Sequence, residues 1–284
     1  MGNGSTDRSP ARRHVDAQED HPLLGGDDAD ASAAELVVRL IHRKAYTEAA
    51  KLAEGRSVLD VGCNDGYGTV LLAARARSAA GVDVSSTAIE AARAREPGGA
   101  IDFHVTDGQH LDFPDGSFEL VTAFQVIEHV ADVSGFLAEV DRVMAPGATL
   151  VLTTPNAAIR LDPGMAPWNP FHVHEYTADE LRRILAGRFD RVEVEGLFAP
   201  EPIAAVEIER SARSRMRARR GRPRIVDAMI RALPTGARLR LRRLAGRDGR
   251  VDSGPLRGFD VDDLWYAASG LDRALDLHAT CSSR

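Results

Sequence analysis

An α/β fold on a doubly wound, mostly parallel sheet is what this 284-residue chain predicts, on three observations. Short apolar runs alternate with helix-like segments from residue 57 onward. The runs are apolar on successive residues, as strands covered on both faces must be. A glycine-rich turn joins the first run to the helix behind it, in Val58-Leu59-Asp60-Val61-Gly62-Cys63-Asn64-Asp65-Gly66-Tyr67-Gly68.

Residues 1–32 are rich in Gly, Asp, Ser and Ala and read as a disordered tail. Ser32 reads as an N-cap with Glu35 as its capping-box partner, opening a helix over 33–53. Leu36, Val37, Leu40 and Ile41 share one face of it. Strands are expected at 57–61, 80–84, 101–105, 118–124 and 149–153, with helices at 67–77, 86–95 and 133–144 between them. Pro146-Gly147 should end the fourth helix and turn the chain into the fifth strand. A loop with Pro155, Pro163, Pro167 and Pro170 follows, then a helix capped by Thr177 and a strand at 191–198. Residues 203–250 read as a helical Arg-rich insertion, a lid, before a final strand at 274–280 that follows an Asp- and Leu-rich stretch at 260–273. The sheet then has seven strands with helices on both faces, and residues 33–284 form one domain.

Composition removes several classes of protein. No apolar run approaches the eighteen residues a membrane-spanning helix needs, and the N-terminus lacks the apolar core of a secretory signal. Cys63 and Cys281 are the only cysteines, too few for a disulfide framework or a Cys-only zinc site, so a cytoplasmic location is expected. The net charge of −6 is unevenly spread. Residues 210–250 hold fifteen Arg against Asp227 and Asp248, a local +13, which leaves −19 elsewhere. That segment suits a solvated lid. Ile225, Val226, Met229, Ile230 and Leu233 beside the Arg also suit a peripheral membrane contact. An RNA partner is disfavoured, because no aromatic residue interleaves with the arginines to stack on bases.

The glycine turn carries the chemistry. Glycines let backbone approach a ligand, and the helix N-terminus offers unpaired N–H groups. The spacing is G-x-x-x-G-x-G; a dinucleotide fingerprint needs G-x-G-x-x-G, and its third glycine would fall on Leu71. Nicotinamide cofactors are therefore not expected. Asp83, twenty-one residues after Gly62, ends the second strand, where a carboxylate can accept both hydroxyls of a ribose. Asp107, after the third strand, can meet the edge of an adenine.

These segments resemble the class I S-adenosylmethionine (SAM)-dependent methyltransferases, and within them the ubiquinone-biosynthesis O-methyltransferases and similar small-molecule enzymes. The resemblance spans residues 36–198 and resumes at 260–281. It rests on the glycine turn, Asp83, Asp107-Gly108, Phe113-Pro114-Asp115-Gly116-Ser117-Phe118-Glu119, Gln125-Val126-Ile127-Glu128-His129-Val130 and Pro146-Gly147-Ala148. It implies a Rossmann-like sheet with SAM as cofactor, bound by Asp60, Gly62, Asn64, Gly66, Asp83, Val84, Asp107, Gly108 and Gln125. Position 64 departs from the usual Gly, but Asn is the other residue that tolerates a left-handed backbone.

Methyl transfer to a hydroxyl needs a positioned acceptor and a base. His129, after the fourth strand, is the candidate base; Glu128 and His174 are candidate partners. In the ubiquinone O-methyltransferases and the small-RNA 2′-O-methyltransferases this stretch reads Glu-x-x-Glu-His and binds a divalent cation. Here it is Gln125-x-x-Glu128-His129 with His172 and His174 downstream, and Gln125 removes one hard-cation ligand. The expectation is a metal-free SAM-dependent methyltransferase acting on a small molecule at oxygen. The alternatives are a metal-assisted RNA 2′-O-methyltransferase and a non-catalytic SAM-binding protein.

Overall fold

The computed structural model describes residues 31–219, 256 and 258–282. The expected tail (except residues 31–32) and the stripe from Ile225 to Leu233 lie outside them. Ser32 caps α1 (Ala33–Leu52) through the expected box with Glu35. The chain then alternates through β1 (Ser57–Val61), α2 (Tyr67–Ala73), β2 (Ser78–Asp83), α3 (Ser86–Arg95), β3 (Ile101–Val105), β4 (Phe118–Phe124), α4 (Val133–Val143) and β5 (Met144–Pro155). The short α5 (Ala157–Arg160), α6 (Ala178–Ala186), β6 (Arg191–Phe198), α7 (Glu201–Arg219), β7 (Trp265–Ala267) and β8 (Asp276–Ser282) complete it.

The sheet order is β3-β2-β1-β4-β5-β8-β6-β7. The first five pair in parallel; β8 runs antiparallel between β5 and β6, and β7 runs antiparallel on the edge of β6. Among the described residues the sheet has eight strands where seven were expected, because the stretch read as helix or turn before the last strand contributes the three residues of β7. The last strand begins at Asp276, not Ala274.

Pro146-Gly147 does not separate helix from strand. α4 stops at Val143, and Met144 already pairs with Phe118. The register next resumes at Leu120 with Thr149, so Pro146 and Gly147 (φ 74°) lie in a bulge within β5. A proline cannot donate to a ladder, and a bulge is where a strand accommodates one.

Strand residues alternate between two cores, which is why the runs are apolar throughout. Leu59, Val61, Val121 and Ala123 pack with α4 and α6 through Phe136, Leu137, Val140, Leu181 and Leu185. Val58, Leu120 and Phe124 face the other way and pack with Ala45, Tyr46 and Leu72 of α1 and α2. Helices thus cover both faces. The N-terminal half of α1 packs against Leu197, Ile203, Leu256 and Leu264. Among the described residues no helix is long and apolar enough to cross a membrane.

Candidate active site

The glycine turn sits at the carboxyl end of β1, where open parallel sheets bind ligands. Gly62 has φ 76°, and a Cβ there would lie 2.5 Å from Val126 Cγ2, so the position needs glycine twice over. Asn64 takes the left-handed conformation at φ 49°, and its Oδ1 accepts from the Asp65 amide at 2.7 Å. Asp65 is clamped from α3: Arg95 Nη2 donates to its carboxylate at 2.6 Å, and Arg95 Nε donates to its carbonyl at 2.9 Å.

Asp60 and Gly66 stand behind this turn and do not line the cavity it borders. Asp60 is fully buried and accepts from Thr69, Thr122 and Tyr46 at 2.7, 2.8 and 3.1 Å. Burial pushes its carboxyl up to about 6, against those hydroxyl bonds. Gly66, at φ 72°, lets the turn close on Ala92 and Phe103. Both support the turn without touching its open side.

A cavity of about 940 Å³ opens at these strand ends. Gly62, Asn64, Asp83, Val84, Asp107, Gly108, Gln125 and His129 all line it, so most of the residues singled out in the sequence converge on one space. Asp83 accepts from the Asn64 amide at 3.0 Å and the Ser85 amide at 2.9 Å, which aims its carboxylate; burial raises its pKa against these bonds. Asp107 Oδ1 accepts from the Gln109 and His110 amides at 2.8 Å, which hold its carboxyl below the ordinary value.

Gln125 adopts φ 57°, and its side chain turns to the sheet, donating to Asp276 at 2.9 Å and Thr153 at 3.2 Å. Asp276 is buried, which pushes its carboxyl far above the ordinary range. The amide at position 125 therefore serves a buried acid as well as lining the cavity.

His129 closes the other side. The Phe171 carbonyl lies 3.0 Å from its Nδ1, and a carbonyl only accepts, so Nδ1 carries a proton and, in the neutral ring, Nε2 holds the lone pair. Glu128 is behind it, 1% exposed, accepting from Thr154 at 2.9 Å; burial lifts its carboxyl to about 7. Glu128 does not line the cavity.

Of the two downstream histidines, His172 rather than His174 packs against His129. His174 is half-exposed, 4.0 Å from Glu180 and edge-on to Tyr176. The His172 side chain is 6% exposed and packs edge-on to His129, with ring centroids 4.8 Å apart. Donor atoms of Glu128, His129 and His172 lie within 4.8 Å of one another, a grouping able to hold a divalent cation.

Sequence reading missed His42, Tyr46 and Tyr67, which also line the cavity. His42 and Tyr46 stand one turn apart on α1, a spacing visible in the sequence. Burial lowers His42 to about 4, so it is neutral. The Tyr67 hydroxyl is buried without a partner among the described residues.

Residues 59–152 match the model of the methyltransferase domain family. A probable S-adenosylmethionine-dependent methyltransferase of Mycolicibacterium smegmatis is 35% identical over 188 residues, 66% of this chain and 72% of that one. The chain belongs to the SAM-dependent methyltransferases. A ubiquinone biosynthesis O-methyltransferase of Chelativorans is 33% identical over 152 residues, 49% of this chain and 60% of that one. A SAM-dependent methyltransferase of Thermotoga maritima superposes with TM-score 0.54 at 13% identity, over 88% of this chain and 92% of that one, which shows the shared fold. SAM is thus the methyl donor of this methyltransferase. The groups at its cavity suit that donor: two carboxylates for hydroxyl and amino donors, a left-handed turn for close backbone approach, and a tyrosine hydroxyl with no partner among the described residues.

Proposed function

We propose that this methyltransferase acts on a small molecule at a hydroxyl oxygen, with His129 as the base. The observation that carries the reading is that His129, its Nδ1 proton committed to Phe171, lines the same cavity as Asp83 and Asp107. Asp83 accepts the ribose hydroxyls of SAM and Asp107 meets its adenine, while the turn at Gly62 and Asn64 passes along the methionine end. His129 Nε2 takes the acceptor proton as the oxygen attacks the methyl carbon. The C–S bond breaks, its electron pair stays on sulfur, and S-adenosylhomocysteine leaves. Holding the oxygen in line with the C–S bond supplies most of the acceleration, and the base adds about 10²–10⁴-fold. The ubiquinone O-methyltransferase relatives support oxygen as the acceptor atom.

A second reading has one observation in its favour, the close grouping of Glu128, His129 and His172. In it these residues hold a divalent cation, which would lower the acceptor hydroxyl's pKa. Gln125, where those relatives carry a carboxylate, brings no charge to the group and turns its side chain to Asp276 and Thr153 instead. We favour the metal-free reading. Methyl-labelled SAM with a panel of hydroxylated acceptors, with and without chelator, separates the two: chelator leaves the first unaffected and abolishes the second.

A further inference from the structure

Behind His172 lies a cluster of buried charges that methyl transfer itself does not call for. Arg160, Glu175 and Glu207 are nearly inaccessible, with side chains 4%, 0% and 3% exposed. Arg160 donates through Nε and Nη2 to the two oxygens of Glu175 at 2.8 and 3.0 Å. Its Nη1 reaches Glu207 of α7 at 3.4 Å. Arg210 closes on the same Glu207 with bonds of 2.6 and 2.7 Å. The Trp168 ring lies 4.3 Å from the Arg160 guanidinium and 5.5 Å from that of Arg210. Desolvating such charges costs about as much as their attraction returns, and an apolar packing would give comparable stability. What apolar residues could not give is a fixed carboxylate, and the Glu175 Oε1 atom lies 2.7 Å from His172 Nδ1.

We propose that Glu175 is a positioning residue: clamped by Arg160, and through it by Glu207 of α7, it holds His172 as the Nδ1–H tautomer with its ring edge-on to His129. A carboxylate that already accepts two guanidinium hydrogen bonds can only accept from the imidazole, which fixes the proton on Nδ1. Edge-on contact with His129 fixes the plane of the ring. Seating α7 and orienting His172 are then one event, since Arg160 grips Glu175 and Glu207 with the same guanidinium. The functional weight of this arrangement rests on the reading of the His129 end of the cavity as the acceptor side.

The test is long-range ¹H–¹⁵N correlation of the full-length protein labelled at histidine nitrogen, nine residues in all, with His172→Gln to assign the signal. Wild type should show His172 as a single Nδ1–H form. In Glu175→Ala the Nε2–H form should rise from undetected to the larger share, since that is the tautomer imidazole prefers in water. Arg160→Met/Glu175→Leu removes the pair together, leaves no uncompensated charge between them, and should give the same change if the single variant fails to fold. An Nε2–H signal from His172 in wild type, or an unchanged Nδ1–H form in either folded variant, overturns the proposal. S-adenosylhomocysteine titrated into the same samples reads the cofactor site separately. Its failure to bind wild type would sink the reading of the cavity and leave the tautomer result standing.

Discussion

The Tyr46 hydroxyl lies 3.1 Å from the Asp60 carboxylate and joins the N-terminal helix to the first strand. Thr69 and Thr122 donate to the same group from α2 and β4. One buried acid thus ties together four elements around the glycine turn, without reaching the cavity.

That burial has a pH signature. The Asp60 carboxyl ordinarily titrates at 3.8, and in the fold at about 6. Between those values the native state binds more protons than the unfolded one, so stability falls as pH rises through that window and is level above it. Asp60→Asn lacks this term. Wild type should therefore lose about 1–3 kcal/mol relative to the variant between about pH 4 and pH 6. Urea denaturation across that range checks it, and parallel profiles would show that Asp60 titrates normally.

Gly68 lies where α1 and α2 touch. A Cβ there would fall 2.1 Å from the Tyr46 ring, which is itself packed edge-on against Tyr67 and Phe124. Alanine would gain about 1 kcal/mol in helix propensity, and forcing the rings apart costs about 1–3 kcal/mol or more. With both neighbouring rings locked, the clash should win. Gly68→Ala should lower the melting temperature by several degrees, and a raised one would mean the helices part easily.

For Asp83, alanine should weaken S-adenosylhomocysteine binding at least tenfold. Charge-assisted bonds to the ribose diol are worth roughly 1.5–3 kcal/mol. Calorimetry on the folded variant checks it, with NADH as a control that should bind neither protein. An unchanged dissociation constant would leave Asp83 as a cap for the Asn64 and Ser85 amides.

The two downstream histidines should separate in an activity assay. His172→Ala should reduce turnover at least tenfold, because it removes the ring packed on His129. His174→Ala, at a half-exposed site, should stay within twofold of wild type. The reverse order would mean that the loop around Phe171 takes another course during turnover.

Most of the sheet and its ligand turn were legible because strands buried on both faces leave continuous apolar runs, and Gly62, Asn64 and Gly66 mark a backbone of positive φ. β7 was not legible: three residues, Trp-Tyr-Ala, on a sheet edge have no periodicity to show. Pro146-Gly147 misled because a bulge in β5 uses the same residues as a helix stop. The choice between His172 and His174 depends on which one turns inward from a loop, and the loop's course follows from Glu128, whose carbonyl accepts the Val173 and His174 amides at 2.7 and 3.3 Å. Arg95 on Asp65 and Arg160 on Glu175 are pairings across the fold, invisible along the chain.

Mass spectrometry of hydroxylated acceptors incubated with trideuteromethyl SAM tests the central claim most directly, run side by side on wild type and His129→Ala. Wild type should place the labelled methyl on a hydroxyl oxygen. The variant should bind S-adenosylhomocysteine as wild type does, yet turn over about 10²–10⁴-fold more slowly. Label on nitrogen or carbon, or equal turnover by the variant, would contradict it.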